Sequence, residues 1–423
     1  MSPTLKTGLS FSALGQRAQP PTIARLMSAA LENPTLLSLA AGFTDSSSLP
    51  LPAVSAAVNA LVGQKANESL QYGMNQGRPL LRKLLAQHLA QWEPDLVDTA
   101  VDQRFFVSNG SQQALYLAMQ VLCEPGDIVL VDRPSYFVFL EMLAAMGVRA
   151  VSLPVDETGR LDAPAITALL DRLAQAGDTR RIKAVYLVSY FSNPSSRSLF
   201  EGEKVALAQS LMTRNLIIPV IEDAAYRDLF FSVRPEARSV LTVPEWSEFP
   251  KLYLSTLTKP FATGLKVGYG YCTDAEWLAR MLYTKGHHDF GTANFNQAVL
   301  EHIIADGGLE RQLTVIRALY QRKMHALHDT LLQEGLPDLG WTWAKPTGGL
   351  YLWLKAPDRV DTGLDSAFFH HCITAGVLYV PGALCFGDET PRNYVRLSYG
   401  VLPVAELGEA ARRFVQVARG FHV

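Results

Sequence analysis

Cysteine is scarce in this chain, and the few cysteines lie far apart. The 423 residues include four, Cys123, Cys272, Cys372 and Cys385, with no Cys-x-x-Cys pair and no histidine at ligand spacing. This spacing suggests neither a zinc site nor a disulfide framework. We therefore expect no metal site and a reducing compartment.

An excess of one charge and a long apolar run are also missing. Lys and Arg total 38 against 40 Asp and Glu, a net charge of -2, which gives no electrostatic case for nucleic-acid binding. Residues 1–20 contain no apolar core of a secretory signal, and no apolar run approaches the roughly 18 residues that a membrane helix needs. We expect a cytoplasmic protein without nucleic-acid or membrane partners.

The composition is that of a folded protein large enough for two domains. Hydrophobic residues make up 48% and charged residues 18%, a balance that argues against a long disordered region. Because 423 residues exceed the usual size of one domain, a large domain plus a smaller one is the natural expectation.

The middle of the chain alternates short β-branched runs with helical stretches, from about residue 104 onward. The runs are FFVSN, IVLVD, AVYLVSY, LIIPVIED, LYLSTL and VGYGYC. Such alternation predicts an α/β fold with a mainly parallel sheet covered on both faces. Ligands of these sheets bind beyond the carboxyl ends of the strands, so the residues that follow each run are the first candidates for a site.

The pattern changes after about residue 290. A long helical stretch over 295–332 precedes the strand-like runs TGGLYLWL, VLYVPG and NYVRLSY, which together predict a smaller α+β domain. At the other end, a helical pattern near residues 20–32 is expected to pack against one or both domains.

One lysine stands in an unusual setting. Lys259 lies in STLTKPFATGLKVGYG, residues 255–270, among hydroxyls and glycines that follow an apolar strand. A lone lysine after a strand is usually a solvated loop residue. A buried lysine must be paired or neutralised, however, and Schiff-base formation is one way to neutralise it.

This segment resembles the Ser-x-Ser-Lys-x-x-x-Pro-Gly-x-Arg-x-Gly stretch of fold-type I aminotransferases of the aspartate aminotransferase superfamily, nearest to the aminoadipate/kynurenine-type branch. Thr256 and Thr258 replace the serines, Thr263 the proline and Lys266 the arginine. The resemblance implies pyridoxal 5'-phosphate (PLP) held as a Schiff base by Lys259, with Thr256, Thr258 and Lys266 binding its phosphate.

The resemblance also implies an architecture. The large domain of this fold has a mainly parallel seven-stranded sheet flanked by helices, and the smaller domain is α+β. We expect an N-terminal segment over residues 1–75, a large PLP-binding domain over 76–310 and a small C-terminal domain over 311–423.

Further motifs match the family in order and spacing. SNGSQQAL, residues 108–115, is similar to the phosphate-binding turn and implies that Ser111 and Gln112 contact the phosphate, although a serine helix cap is an equal alternative. DRPSYFVF places Tyr136 where the family stacks an aromatic ring on the pyridine. LQYGMNQGRPLLRKLL places Tyr72 where the family reaches the phosphate of the neighbouring subunit, which implies a homodimer.

Two motifs imply the electronic partners of the ring. SYFSNPSSRS resembles the Asn-Pro-Thr-Gly motif, with Ser195 and Ser196 in place of Thr and Gly, and makes Asn193 a donor to the ring O3' and a substrate contact. PVIEDAAYRDL implies that Asp223 pairs with the pyridinium nitrogen and that Tyr226 donates to O3'.

Two residues are implied to bind the substrate. Arg396, in NYVRLSYG, lies where the family binds the substrate carboxylate, and a charged residue within an apolar strand needs a partner. Gly42, in LSLAAGF, resembles the glycine segment that closes over the substrate, and an ordinary turn glycine is an equal alternative. TGGLYLW is interpreted as a structural strand.

The leading functional prediction is an aminotransferase that moves the amino group of an L-amino acid to a 2-oxo acid by a ping-pong mechanism, with Lys259, Asp223 and Tyr226 as catalytic residues. A diverged PLP enzyme that catalyses elimination, replacement or oxidation remains an alternative, because the same electron sink serves all of these reactions. A non-catalytic regulator that senses PLP or an amino acid is the third.

Overall fold

The computed structural model describes residues 10–96 and 101–421, except 23, 25, 27, 29–32, 34 and 389. The helical pattern near residues 20–32 therefore lies mostly outside the described residues. The α-helices are α1 (Ala13–Arg17), α2 (Leu51–Gly63), α3 (Pro79–Trp92), α4 (Val101–Arg104), α5 (Gly110–Leu122), α6 (Phe137–Met146), α7 (Ala163–Gln175), α8 (Glu201–Met212), α9 (Ala275–His288), α10 (Asn294–Ala305), α11 (Gly308–Gln333), α12 (Ala367–Thr374) and α13 (Val404–Arg419). The β-strands are β1 (Leu37–Ser38), β2 (Phe105–Asn109), β3 (Ile128–Val131), β4 (Arg149–Ser152), β5 (Ile182–Val188), β6 (Val220–Asp223), β7 (Lys251–Thr256), β8 (Val267–Cys272), β9 (Tyr351–Lys355), β10 (Val377–Leu378), β11 (Val380–Pro381) and β12 (Tyr394–Ser398).

The central sheet has seven strands in the order β2-β8-β7-β6-β5-β3-β4. Strands β7, β6, β5, β3 and β4 form successive parallel pairs, and β8 is antiparallel to both β7 and β2. The expected α/β fold with a mainly parallel seven-stranded sheet is confirmed.

Two details of this sheet differ from the sequence pattern. Of the run LIIPVIED only Val220–Asp223 forms a strand, because Pro219 has no N–H to donate to a neighbouring strand. Strand β4 is not among the apolar runs. It occupies an edge of the sheet, and its first residue, Arg149, is exposed.

The two faces of the sheet are buried by different helices. In β3, Val129 and Val131 pack with residues of α5, α6 and α9, whereas Ile128 and Leu130 pack with residues of α7 and α8. Successive side chains of a strand point to opposite faces, so a run of four apolar residues supplies both layers of the core.

The carboxyl ends of the parallel strands share one edge of the sheet. Strands β2, β5, β6 and β7 all end there, and β8, which runs the other way, begins there. The segments that follow Asn109, Val188, Asp223 and Thr256 are therefore close in space although they are far apart in the chain.

The remaining strands form two small sheets. Strands β11, β12 and β9 form an antiparallel sheet, and β1 pairs with β10 in parallel. The run VLYVPG is divided between these sheets, since Val377–Leu378 pairs with β1 and Val380–Pro381 pairs with β12. The N-terminal segment thus adds a strand to the C-terminal part of the chain.

The helical stretch expected over 295–332 is two helices. Helix α10 ends at Ala305, and α11 starts at Gly308. Gly307 has φ 72°, a conformation that interrupts a right-handed helix and suits glycine. Among the helices of the described residues, none has the length and apolar character that crossing a membrane requires.

Candidate active site

A cavity of about 320 Å³ lies at the carboxyl edge of the central sheet, under the segment after β1 and beside β9 and β12. It brings together the site residues predicted from the sequence, with the exception of Tyr72. Its lining includes Gly42, Ser111, Gln112, Tyr136, Asn193, Asp223, Tyr226, Thr256, Thr258, Lys259, Lys266 and Arg396, together with Phe43, Asn109, Gly110, Phe137, Val138, Val188, Ala225, Thr263 and Tyr351.

Lys259 lies at the wall of this cavity, three residues after β7. Its Nζ donates a hydrogen bond of 2.5 Å to the carbonyl oxygen of Gly42. Burial lowers the pKa of Lys259 to about 8, and the charges of Arg396 and Lys266 act in the same direction. A substantial fraction of this amine is therefore neutral at a pH where an exposed lysine is fully charged.

Asp223 is the last residue of β6 and is buried. Its Oδ2 accepts a hydrogen bond of 3.0 Å from the Tyr186 hydroxyl, and its Oδ1 accepts one of 3.0 Å from the backbone N–H of Ala225. Burial raises the pKa of Asp223 to about 6, and these two hydrogen bonds oppose the increase. Near neutral pH the site thus holds a buried carboxylate with no cationic side chain hydrogen-bonded to it among the described residues.

The turn from β2 into α5 offers an anion site. Gly110 has φ 68° and begins the helix, whose first N–H groups have no intrahelical acceptor. Strand β8 passes so close to this turn that a Cβ on Gly268 would lie 2.5 Å from the Ser111 nitrogen. Only glycine permits that approach.

Hydroxyls and a cation surround the same turn. The Thr256 and Thr258 hydroxyls lie 2.9 Å apart, and Lys266 follows in the left-handed region at φ 58°. All three line the cavity with Ser111, which is the combination of donors that a phosphate group requires.

Arg396, in the middle of β12, is buried against the cavity. Its Nη1 donates to Asn193 Oδ1 at 2.8 Å and its Nη2 to the Ala40 carbonyl oxygen at 2.6 Å. The guanidinium lies 4.4 Å from the ring centre of Tyr351 and 5.4 Å from that of Phe137. Among the described residues its Nε has no hydrogen-bond partner, and because a guanidinium carries five N–H donors, several remain for a ligand.

Tyr351 is a site residue that the sequence interpretation missed, because TGGLYLW was taken as a structural strand. It begins β9, and its hydroxyl lies 3.1 Å from the hydroxyl of Tyr226. Tyr186 was also missed. A tyrosine within the buried apolar run AVYLV was an available signal, because a buried phenol needs a hydrogen-bond partner.

The two serines that depart from the Asn-Pro-Thr-Gly motif have clear contacts. Ser196 stands in the left-handed region at φ 52°, where the motif has glycine, and its hydroxyl donates to the Tyr351 carbonyl oxygen at 2.7 Å. The Ser195 and Ser192 hydroxyls lie 2.5 Å apart. Serine thus occupies a glycine-type conformation and gains a bond to β9.

Hydrogen bonds and an ion pair hold the segment after β1, residues 42–45, in place. Thr44 Oγ1 lies 2.8 Å from Thr263 Oγ1, so the threonine that replaces the family's proline bonds to this segment. Asp45 forms an ion pair with the buried Lys323. Together with the bond from Lys259 to Gly42, these contacts hold residues 42–45 across the mouth of the cavity.

Tyr72 lies outside the cavity lining of its own subunit. Its side chain is 80% exposed and packs edge-on against Phe290 at 5.6 Å between ring centres.

The residues present fit PLP. The N-terminus of α5 and Lys266 can hold a phosphate, Asp223 a protonated ring nitrogen, and Lys259 a carbonyl carbon. The unpaired Nε of Arg396 leaves a donor for the carboxylate of an amino acid. This arrangement can bind an amino acid and break a bond at its α-carbon.

Comparison with known proteins agrees with this geometry. The family model for aminotransferase class I and II matches residues 34–414. The aromatic-amino-acid aminotransferase 1 of Thermococcus litoralis is 28% identical over 421 residues, which are 99% of this chain and 96% of that protein.

Two solved structures share the fold and about a quarter of the sequence. The kynurenine aminotransferase of Pyrococcus horikoshii, in complex with pyridoxamine 5'-phosphate (PMP), has a TM-score of 0.84 and 26% identity over 97% of each chain. The α-aminoadipate aminotransferase of Thermus thermophilus, complexed with N-(5'-phosphopyridoxyl)-L-leucine, has a TM-score of 0.79 and 26% identity over 97% of each chain.

Proposed function

Since the chain belongs to the class I and II aminotransferases, we propose that it moves the amino group of an L-amino acid to a 2-oxo acid at the cavity built around Lys259. The enzyme is a PLP-dependent aminotransferase of the aminoadipate/kynurenine-like branch. The observation that carries the assignment of the site is one cavity that holds an amine of lowered pKa, a buried carboxylate and a buried arginine with a free donor.

When bound, PLP withdraws electrons from the α-carbon of the amino acid, so that a bond there can break. Lys259 is then the group that takes a proton from the α-carbon and returns one during the reaction. A pKa of about 8 suits both steps, because general acid–base catalysis is most efficient when the pKa lies near the working pH.

The Asp223 carboxylate would accept a hydrogen bond from the protonated ring nitrogen of PLP. The carboxylate is buried and fixed by the Tyr186 hydroxyl and the Ala225 N–H, so it does not have to reorganise when charge develops nearby. Tyr226 and Asn193 would donate to the phenolic oxygen of the cofactor, and Tyr136 would cover the face of its pyridine ring.

Two anion sites orient the reactants. The Gly110–Gln112 turn, Thr256, Thr258 and Lys266 hold the phosphate, and Arg396 holds the carboxylate of the amino acid. A planar guanidinium that packs against the Tyr351 and Phe137 rings and donates to Asn193 and Ala40 presents its remaining donors in a fixed direction. Lys266 would bind the phosphate as a compact charge, whereas an arginine at this position could donate two parallel hydrogen bonds to it.

We propose that the preferred side chain is uncharged and either aromatic or large and aliphatic. Among the described lining residues the cations are Lys259, Lys266 and Arg396, each of which already has a role. The rest of the wall includes Phe43, Phe137, Val138 and Tyr351, which offer apolar surface to a substrate side chain.

A homodimer with Tyr72 at the phosphate of the neighbouring subunit is part of the proposal. Leu70, Tyr72, Met74 and Phe290 expose large apolar side chains, between 55% and 80% of each. Such a cluster on a folded chain is typical of a surface that another protein covers. A Tyr72→Phe variant should elute as a dimer and bind PLP more weakly.

We also propose a division into residues 1–75, 76–310 and 311–423, and a cytoplasmic location. The pairing of β1 with β10 supports an N-terminal segment that packs as part of the small domain. Four free cysteines, three of them buried, are compatible with a reducing compartment.

The test is to load the purified protein with PLP and add a panel of amino acids. We expect an aromatic or large aliphatic L-amino acid to convert the bound cofactor to its amine form, and a 2-oxo acid to reverse the change. Release of ammonia, hydrogen peroxide or a side-chain fragment in place of this reversal would contradict aminotransfer. Preference for glutamate or aspartate over phenylalanine would contradict the proposed side-chain class alone.

A further inference from the structure

Two phenols meet inside the cavity, and only the hydroxyl of Tyr226 has a role in the proposed function. The Tyr226 and Tyr351 hydroxyl oxygens lie 3.1 Å apart, and the two rings meet edge-on at 5.8 Å between centres. Both side chains line the cavity. They come from opposite sides of it, since Tyr226 follows β6 and Tyr351 begins β9.

The direction of this hydrogen bond follows from counting protons. A phenol has one proton to donate, and the proposed function directs the Tyr226 proton to the phenolic oxygen of PLP. Burial raises the pKa of Tyr226, so Tyr226 keeps that proton. The bond between the two hydroxyls can then form only if Tyr351 donates and Tyr226 accepts.

Tyr351 is fixed in place on three sides. The Ser196 hydroxyl donates to its carbonyl oxygen at 2.7 Å. Its ring lies 4.4 Å below the Arg396 guanidinium, and a Cβ on Gly42 would come within 3.2 Å of its hydroxyl. A donor this well held loses little freedom when it forms a hydrogen bond.

We infer that Tyr351 is a positioning residue for the cofactor: its hydroxyl donates to Tyr226 Oη and thereby aims the Tyr226 proton at the phenolic oxygen of PLP and strengthens that hydrogen bond. A donor that is itself hydrogen-bonded as an acceptor is polarised and donates more strongly. The inference rests on the proposed function, because it requires PLP in this cavity.

The test uses the PLP-loaded enzyme and the pH midpoint of its visible absorbance change. A hydrogen bond to the phenolic oxygen stabilises the more negative, deprotonated form of the bound cofactor and lowers that midpoint. Tyr351→Phe should weaken the Tyr226 donor and raise the midpoint by about 0.3–1 pH unit. The phenyl ring stays under Arg396, so KM for the amino acid should change by less than about twofold.

The double variant separates this role from a merely structural one. In a Tyr226→Phe background, Tyr351→Phe should leave the midpoint unchanged, because the hydroxyl has lost the group through which it acts. A matched control is Tyr379→Phe, which removes a buried phenol bonded to the Thr362 carbonyl oxygen at 2.9 Å outside the cavity lining. It should lower stability and leave the midpoint unchanged.

Two outcomes would overturn the inference. One is an unchanged midpoint in Tyr351→Phe, whether or not KM rises, and the other is an equal midpoint shift when Tyr351→Phe is added to the Tyr226→Phe background. If wild-type protein binds no PLP, the proposed function fails as well. If wild-type protein titrates and Tyr351→Phe titrates identically, only the role of Tyr351 fails.

Discussion

The two sides of the cavity are built in different ways. The floor consists of Ser111, Asn193, Asp223, Thr256 and Lys259, which all follow or end strands of the central sheet. The roof consists of the 42–45 segment, Tyr351 and Arg396, which belong to the small sheets and to the segment joined to them. Floor residues are placed by short connections to rigid strands.

The roof residues are placed by long-range bonds. Lys259 and Gly42 are 217 residues apart in the chain, and Arg396 and Asn193 are 203 apart. We propose that the floor carries the chemistry and that the roof binds the substrate, apart from Tyr351, which acts on the cofactor through Tyr226.

The largest effect is expected on the floor. Asp223→Asn should lower kcat by about 10²–10³-fold, because it removes a preorganised charge next to the position of the ring nitrogen. KM should change much less. Asp171→Asn, which removes an exposed carboxylate paired with Arg214, is the control and should retain wild-type kcat. A raised KM with a normal kcat in Asp223→Asn would contradict the claim that Asp223 acts in the chemical step.

On the roof, Arg396→Lys should act mainly on substrate binding. Loss of a bidentate charge-assisted contact should raise KM for the amino acid by about 10- to 100-fold. Arg392→Lys, four residues earlier in an exposed pair with Asp361, makes the same chemical change outside the cavity and should leave KM unchanged. If Arg396→Lys lowers kcat and spares KM, the division between roof and floor is wrong.

The buried carboxylate of Asp223 should lower the free energy of unfolding of the apoprotein. The folded pKa of Asp223, about 6, lies above its ordinary 3.8, so the folded state binds its proton more tightly than the unfolded state does. Stability relative to Asp223→Asn should therefore fall as pH rises from about 4 to about 6, by at most about 3 kcal/mol.

Urea unfolding of both apoproteins across this pH range measures the difference. Asp132, whose pKa burial raises to about 7, remains in both proteins, so most of its own contribution cancels. A difference that stays constant with pH would show that Asp223 does not titrate as a buried acid.

The smallest effect is expected where floor and roof meet, at Ser196. Ser196→Ala keeps the strained φ and loses the bond to Tyr351, so it should lower the free energy of unfolding by about 1–2 kcal/mol. Ser196→Gly loses the bond but relieves the strain and should cost less. Thermal or urea unfolding ranks the two variants, and a less stable glycine variant would refute this account of the loop.

The floor could be predicted from the sequence because its residues sit at fixed offsets from recognisable apolar strands. Asp223 closes the run PVIED, and Lys259 follows LYLSTL, so the strands drew attention to these residues and the resemblance to the aminotransferase motifs implied their roles. Tyr186 was accessible by the same reasoning, since it interrupts a buried apolar run.

The roof could be predicted only in part. Gly42 and Arg396 were found because LSLAAGF and NYVRLSYG resemble family segments, and a charged residue in an apolar strand supported Arg396, but nothing local distinguishes Tyr351 from an ordinary strand tyrosine. Its role depends on Tyr226 and Ser196, which lie 125 and 155 residues away in the chain. The division of VLYVPG between two sheets depends in the same way on distant partners.

The central claim is that Lys259 is the residue that holds PLP. The direct measurement is to reduce the PLP-loaded protein with borohydride, digest it and locate the added mass by peptide mass spectrometry. The account predicts one modified site, Lys259, and no modification there after treatment of Lys259→Ala. Attachment at Lys266 or at another lysine, or no covalent attachment in a protein that binds PLP, would contradict it.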